Sequence, residues 1–281
     1  MQSLPPHSTI AVIGSGAMGA GIAQVAATAG HQVLLFDTRD GAADKAIADI
    51  GKTYAKLVEK GRMGAVESDL ARERLTRISS LQQAAGAVLV IEAIVENLGA
   101  KRALFAELEG IVGEKAILAT NTSSISVTAI GAQLKHPERL VGMHFFNPVP
   151  LMALVEVISG LATDSQVADT VYATADKWGK SPVHAKSTPG FIVNRVARPY
   201  YAEALRLLLD GVRALIEERL SRPDAQGQLA LPPAAATALI VTATRGMVVM
   251  ERIYRDRDQL QTVGDDLLRL LVPGAVTTGA R

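Results

Sequence analysis

A strand-like run from Thr9 to Ile13 passes directly into Gly14-Ser15-Gly16-Ala17-Met18-Gly19, then into small residues of helical character that stop at Gly30. Few folds accept that join. A strand that turns through three glycines straight into a helix needs the helix packed closely on the sheet it has just left. It also needs a crossover to a parallel neighbour. The rest of the chain keeps the same alternation. Runs at 32–36, 75–78, 88–93, 116–120, 140–145, 153–158 and 181–185 have the length and apolar character of strands. Helical patterns lie between them. Ala46, Ile50, Tyr54 and Leu57 share one face of a helix reaching about Lys60; another helix covers about 101–112, and a third runs from the cap-like Thr163-Asp164 to Trp178.

This alternation predicts an α/β fold with a doubly wound, mostly parallel sheet of the Rossmann type. After Thr188-Pro189-Gly190-Phe191 the pattern becomes wholly helical. Ile192, Val196, Tyr200, Ala204, Leu207 and Leu208 would form the apolar face of a long helix. Composition changes after Gly211: a charged helix over 212–220, a linker-like stretch over 221–228, helices from Pro232-Pro233 to about Tyr254 and over 258–271, and eight frayed residues at the end. The expected domains are a Rossmann domain over 1–186 and an all-α C-terminal region over 187–281.

Length and composition narrow the function. The 281 residues are 48% hydrophobic, enough for a substantial core, and 29 basic residues face 28 acidic ones. That balance gives no reason to expect a nucleic-acid or membrane partner. Cysteine is absent, which excludes disulfides and thiolate chemistry and fits a reducing compartment. The N-terminus lacks the basic and apolar regions of a secretory signal. The longest apolar stretches, near 87–95 and 234–243, are too short to span a bilayer. A soluble cytoplasmic protein is expected.

The glycine turn carries a specific chemistry. Gly14 permits a tight turn, Gly16 lets backbone approach a pyrophosphate, Gly19 allows close helix–strand packing, and the helix N-terminus attracts phosphate charge. Asp37 ends the second strand, where an acid accepts hydrogen bonds from ribose hydroxyls and repels a 2′-phosphate. NAD is therefore favoured over NADP, although Arg39 stands two residues on.

A second constellation lies further along. His144 and Glu156 interrupt the apolar runs 140–146 and 154–158. A lone Glu buried in a strand would cost roughly several kcal/mol in desolvation, so it needs a partner, and a histidine from the preceding strand can supply one. A carboxylate that orients an imidazole makes a general base working near neutral pH. Beside a dinucleotide site, that suggests alcohol oxidation by hydride transfer. Asn121, Thr122, Ser123 and Ser124 follow another apolar strand, and Asn194 stands in the first turn of the helix opened by Pro189-Gly190. Read alone, Ser123 also fits a helix cap, because Ser-Ile-Ser precedes a helix-like run. His7, His31, His136 and His184 match no motif and read as surface or packing residues. Lys52, Lys56 and Lys60 share the helix over 42–60, where a solvated face is the simpler reading and contact with the phosphates of a substrate the functional one.

Residues 9–210 closely resemble the NAD-dependent (S)-3-hydroxyacyl-CoA dehydrogenases. The resemblance rests on the segments 12–19, Glu-Ala-Ile-Val-Glu-Asn (92–97), Asn-Thr-Ser-Ser (121–124), His-Phe-Phe-Asn-Pro-Val-Pro (144–150) and Thr-Pro-Gly-Phe-Ile-Val-Asn-Arg (188–195). It implies that His144 takes the proton of the substrate 3-hydroxyl, that Glu156 holds the imidazole, and that Ser123 and Asn194 bind the reacting oxygen. Gly14, Gly16, Ala17, Met18, Gly19, Asp37, Glu96, Lys101 and Asn121 would serve the cofactor. An acyl-CoA of fatty-acid or related catabolism is the implied substrate, and a homodimer the implied assembly.

The resemblance stops near Gly211. The family's Gly-Pro-Phe motif, in the region that closes the acyl-CoA pocket and makes most of the dimer contact, is missing. Residues 212–272 instead resemble the last helices of a TetR-type regulator, without a DNA-reading motif. Two rival readings follow: an NAD-binding remnant or regulator with impaired turnover, and a β-hydroxyacid dehydrogenase using a lysine such as Lys186.

Overall fold

Each join of strand to helix resolves into one layer of an eight-stranded sheet. The computed structural model describes residues 2–254 and 257–273; the last eight residues, read above as frayed, lie outside the described residues. The strands are β1 (Thr9–Ile13), β2 (Gln32–Phe36), β3 (Leu75–Arg77), β4 (Leu89–Glu92), β5 (Ile117–Thr120), β6 (Leu140–Phe145), β7 (Leu154–Ser159) and β8 (Ser181–Lys186). Their order is β3-β2-β1-β4-β5-β6-β7-β8. The first six run parallel, β7 pairs antiparallel with β6, and β8 follows β7 in parallel. This is a doubly wound, mostly parallel sheet. Its order reverses between β1 and β4, so the ends of those strands border the crevice where such sheets bind ligands.

Helices cover both faces. Helices α1 (Ala17–Thr28), α2 (Ala42–Glu59), α3 (Ala65–Glu73) and α6 (Ser165–Lys177) contribute to one apolar cluster with Val12, Val33, Phe145 and Val157. Helices α4 (Leu98–Glu109) and α5 (Val127–Gly131) contribute to the other, with Ile13, Leu118, Ile158 and Phe191. Helix α3 has no counterpart in the sequence reading: its buried residues are Ser68 and Ala71, too small to write an apolar stripe.

The chain divides into two units, Met1–Val196 and Ala197–Arg281. The boundary falls ten residues beyond the one read from the sequence, for a local reason. Phe191 is buried, and the backbone N–H groups of Ile192 and Val193 donate to Glu156, so the first turn of α7 (Val193–Leu220) is bonded to the sheet. Helix α7 is also continuous through Gly211, where two helices were expected, and the linker-like stretch contains α8 (Pro223–Gln226). Tyr200, Leu207 and Leu208 are exposed. Within the second unit, α9 (Pro233–Tyr254) and α10 (Arg257–Leu271) lie together, with Ala236, Thr237 and Leu271 buried. Among the described residues no helix is long and apolar enough to cross a membrane.

Candidate active site

The antiparallel register of β6 and β7 sets His144 directly opposite Glu156. Their side chains meet at 2.7 Å, Nδ1 to Oε2, with Glu156 fully buried and His144 5% exposed. The other carboxylate oxygen, Oε1, accepts from the N–H groups of Ile192 (2.8 Å) and Val193 (2.9 Å). Burial alone would raise the carboxyl pKa; the hydrogen bonds from His144, Val193 and Ile192 outweigh it and hold Glu156 below the ordinary carboxylate value. Glu156 is therefore anionic at neutral pH. An anion at Oε2 fixes the proton on Nδ1 of a neutral imidazole and leaves Nε2 as the free lone pair. Phe146 and Phe191 flank the ring, with centroids 4.5 and 5.9 Å away.

A loop at the end of β5 carries the second group. Asn121 Oδ1 accepts from Phe145 N (2.9 Å) and ties this loop to β6. Asn194 Nδ2 donates to the carbonyl of Ser123 (3.1 Å), so the start of α7 reaches the same loop. Ser123 is not a helix cap; Ser126 caps α5 by accepting from Ala129 N. Glu96 Oε1 gathers the loop, accepting from Thr122 Oγ1 (2.6 Å), Ser123 N (2.9 Å) and Ser124 N (3.1 Å), with longer contacts from both serine hydroxyls. Burial opposes ionisation of Glu96, but these donors and Lys101 bring its pKa down to about 2.

Lys101 is buried within this network. Its Nζ lies 2.5 Å from Glu92 Oε1 and 3.3 Å from Glu96 Oε2, and Glu92 Oε2 accepts from Thr120 Oγ1 at 2.7 Å. Glu92 is fully buried. Within the segment 92–97 only Glu96 is expected at the site; in the structure Glu92 joins it through Lys101. The signal was available: a carboxylate ending the apolar strand Leu89-Val90-Ile91 is the same anomaly that drew attention to Glu156.

The glycine turn opens a cleft of about 860 Å³ lined by Gly14, Gly16, Phe36, Asp37 and Arg39 among others. Gly14 has φ +102°, and a Cβ there would lie 2.6 Å from the Ala93 carbonyl oxygen. A Cβ on Gly16 would meet nothing within 4 Å, so the turn leaves open space beside the N-terminus of α1, where Ala17 and Met18 begin the helix. Gly16, the cap residue, makes no side-chain cap, leaving the first amides of α1 for a phosphate. Asp37 Oδ2 accepts from Ser15 N and Ser15 Oγ, both at 2.8 Å. These features fit a dinucleotide.

The structure thus joins His144 to Glu156, Glu156 to the α7 start, and Asn194, Ser123, Glu96 and Lys101 in a second set. The Ser123 and Asn194 side chains bond Glu96 and the loop backbone, and among the described residues neither bonds His144. Lys186 is exposed at the end of β8, and Lys52 pairs with Asp49 on the exposed face of α2.

Residues 9–188 match the family model "3-hydroxyacyl-CoA dehydrogenase, NAD binding domain". The chain belongs to this family. Its first unit is an NAD-binding domain, as the glycine turn and Asp37 anticipated. The chain is 52% identical over 206 residues to 3-hydroxyadipyl-CoA dehydrogenase of Escherichia coli (strain K12), an alignment covering 73% of this chain and 43% of that protein. It is 43% identical over 204 residues to 3-hydroxybutyryl-CoA dehydrogenase of Clostridioides difficile, covering 72% of each. The chain thus spans less than half the length of the first relative. Among solved structures, (S)-3-hydroxybutyryl-CoA dehydrogenase from Ralstonia eutropha superposes with a TM-score of 0.71 at 33% identity, covering 94% of this chain and 95% of that one. An alignment that long extends past Val196.

Proposed function

We propose that the protein oxidises an (S)-3-hydroxyacyl-CoA to the 3-oxoacyl-CoA, with His144 as the general base. The observation that carries this reading is the buried His144–Glu156 pair, in the same unit as the nucleotide cleft. Gly14, Gly16, Ala17, Met18, Gly19 and Asp37 would hold the cofactor. When bound, NAD supplies the acceptor for the hydride leaving C3.

The remaining work falls to side chains of this chain. His144 Nε2 takes the 3-hydroxyl proton, and the anionic Glu156 stabilises the resulting imidazolium. The loop held by Glu96 and Asn194 presents Ser123 to the reacting oxygen. Exclusion of water falls to Phe146 and Phe191 beside the imidazole. The names of the relatives support this reading over a cofactor-binding remnant, and the pair on β6 and β7 supports it over a lysine-based β-hydroxyacid mechanism.

The test is His144→Ala. It should bind NADH as the parent does, yet reduce acetoacetyl-CoA about 10²–10⁴-fold more slowly, the usual worth of a positioned base. Undiminished turnover would remove His144 from the reaction.

A further inference from the structure

Arg39 is the one cation among the described residues that line the nucleotide cleft, and it is bound to the acid that should receive the ribose. Its Nε lies 3.1 Å from Asp37 Oδ1 and its Nη2 3.2 Å from Oδ2, while its own backbone N–H donates to Oδ1 at 2.9 Å. With the two donors of Ser15, Asp37 accepts five hydrogen bonds. A carboxylate offers about four lone-pair sites, so two ribose hydroxyls cannot simply be added.

Something must leave, and exposure decides which group does. The Ser15 contacts and the Arg39 backbone contact belong to the turn itself, around a carboxylate that is 8% exposed. The Arg39 side chain is 71% exposed, and an exposed ion pair is weak. Its guanidinium is the displaceable partner. Once displaced it stays at the cleft, because its backbone remains tied to Asp37. A guanidinium fork there matches the geometry of a phosphate.

We propose that Arg39 sets the nucleotide preference of this chain: it competes with the ribose of NADH for Asp37 and, when released, pairs with the 2′-phosphate of NADPH. Asp37 repels that phosphate and favours NADH; Arg39 narrows the margin, so NADPH is taken as a second, weaker ligand. Removing the acid should turn the same arginine into an NADPH site.

Fluorescence titration of the full chain with NADH and with NADPH tests this without any turnover, so a failure of the proposed dehydrogenase chemistry leaves the result readable. Arg39→Leu should weaken NADPH binding about tenfold, the loss of one charge-assisted pair, and leave NADH binding equal or tighter. Asp37→Asn should tighten NADPH by a similar factor, and the double variant Asp37→Asn, Arg39→Leu should lose that gain. Arg39→Lys should keep only part of the NADPH affinity, because a point charge cannot bond in two places. Arg39 is exposed, so its replacement should leave the thermal melt unchanged. Two results would overturn the proposal: NADPH affinity within twofold of the parent in Arg39→Leu, or an Asp37→Asn gain that survives in the double variant. A parent protein that binds neither nucleotide would sink the cofactor site itself.

Discussion

Glu96 and Lys101 belong to a chain of charges running from the sheet interior to the loop that bears Ser123. Lys101 is 1% exposed and stands between two carboxylates, of which Glu92 is fully buried. Removing one partner of such a pair strands the other, at a cost of about 3–5 kcal/mol. Lys101→Met should destabilise the fold by that order in urea denaturation. Adding Glu92→Gln should recover part of the loss; a double variant no more stable than the single one would mean that the pair is not coupled. Glu96 makes a different prediction. Its folded pKa, about 2, lies below the ordinary 4.5, so the folded protein holds the proton more weakly than the unfolded chain. The stabilisation is complete above about 4.5 and is lost as pH falls toward 2. The stability difference between the parent and Glu96→Gln should therefore shrink across that window, and a difference independent of pH would contradict the ionised anchor. The His144–Glu156 pairing was legible because polar residues in apolar strands demand partners. The anchoring of the Ser123 loop was not: it depends on Glu96 folding back over residues 26 to 28 positions away, which no local pattern encodes.

The strands and helices such as α2 were legible for the same physical reason that they form: their apolar spacing matches the face they bury, whereas α7 carries such a spacing with none of its residues buried. Where the spacing is absent, reading fails, as it did for α3 with its small buried residues. At Gly211 the composition changed but the backbone did not, because a glycine within a helix weakens it without ending it. The first helix shows how an element's sequence sets both its packing and its ligand. A Cβ on Gly19 would lie 1.7 Å from the Gly14 carbonyl oxygen, so helix and turn could no longer touch. A Cβ on Gly16 would enter open space at the cleft. Gly19→Ala should accordingly lose stability, about 1–3 kcal/mol for an overpacked site, together with NADH binding. Gly16→Ala should melt like the parent and yet bind NADH at least about tenfold more weakly, since the added methyl occupies the ligand's space. Equal effects of the two changes on the melt would refute the distinction.

At the scale of the whole sheet-bearing unit, a ring contact between His31 and Trp178 joins two segments far apart in the chain. His31 leads into β2 and Trp178 closes α6; their rings lie 5.7 Å apart, with 4% and 7% exposure. His31 Nδ1 and Trp178 Nε1 have no hydrogen-bond partner among the described residues. Burial holds the imidazole pKa below its ordinary 6.5, a bond to the Ser8 backbone opposes this, and the nearby His7 and Arg74 add to it. The folded protein therefore binds this proton more weakly than the unfolded chain does. Stability should be at its full value above about 6.5 and fall as the medium is acidified through the lower folded value. Charging the ring would also place a new donor at Nδ1 in a buried site with nothing to accept it. The chain has one tryptophan, so its emission reports on this junction alone. Acidification from neutral pH should lower the melting temperature and quench Trp178 emission over the same pH interval, because a protonated imidazole quenches a neighbouring indole. His31→Gln should flatten both curves in that interval. If the melting temperature of the variant tracks the parent across it, the acid sensitivity belongs to other groups, and the junction is held by packing rather than by a neutral histidine.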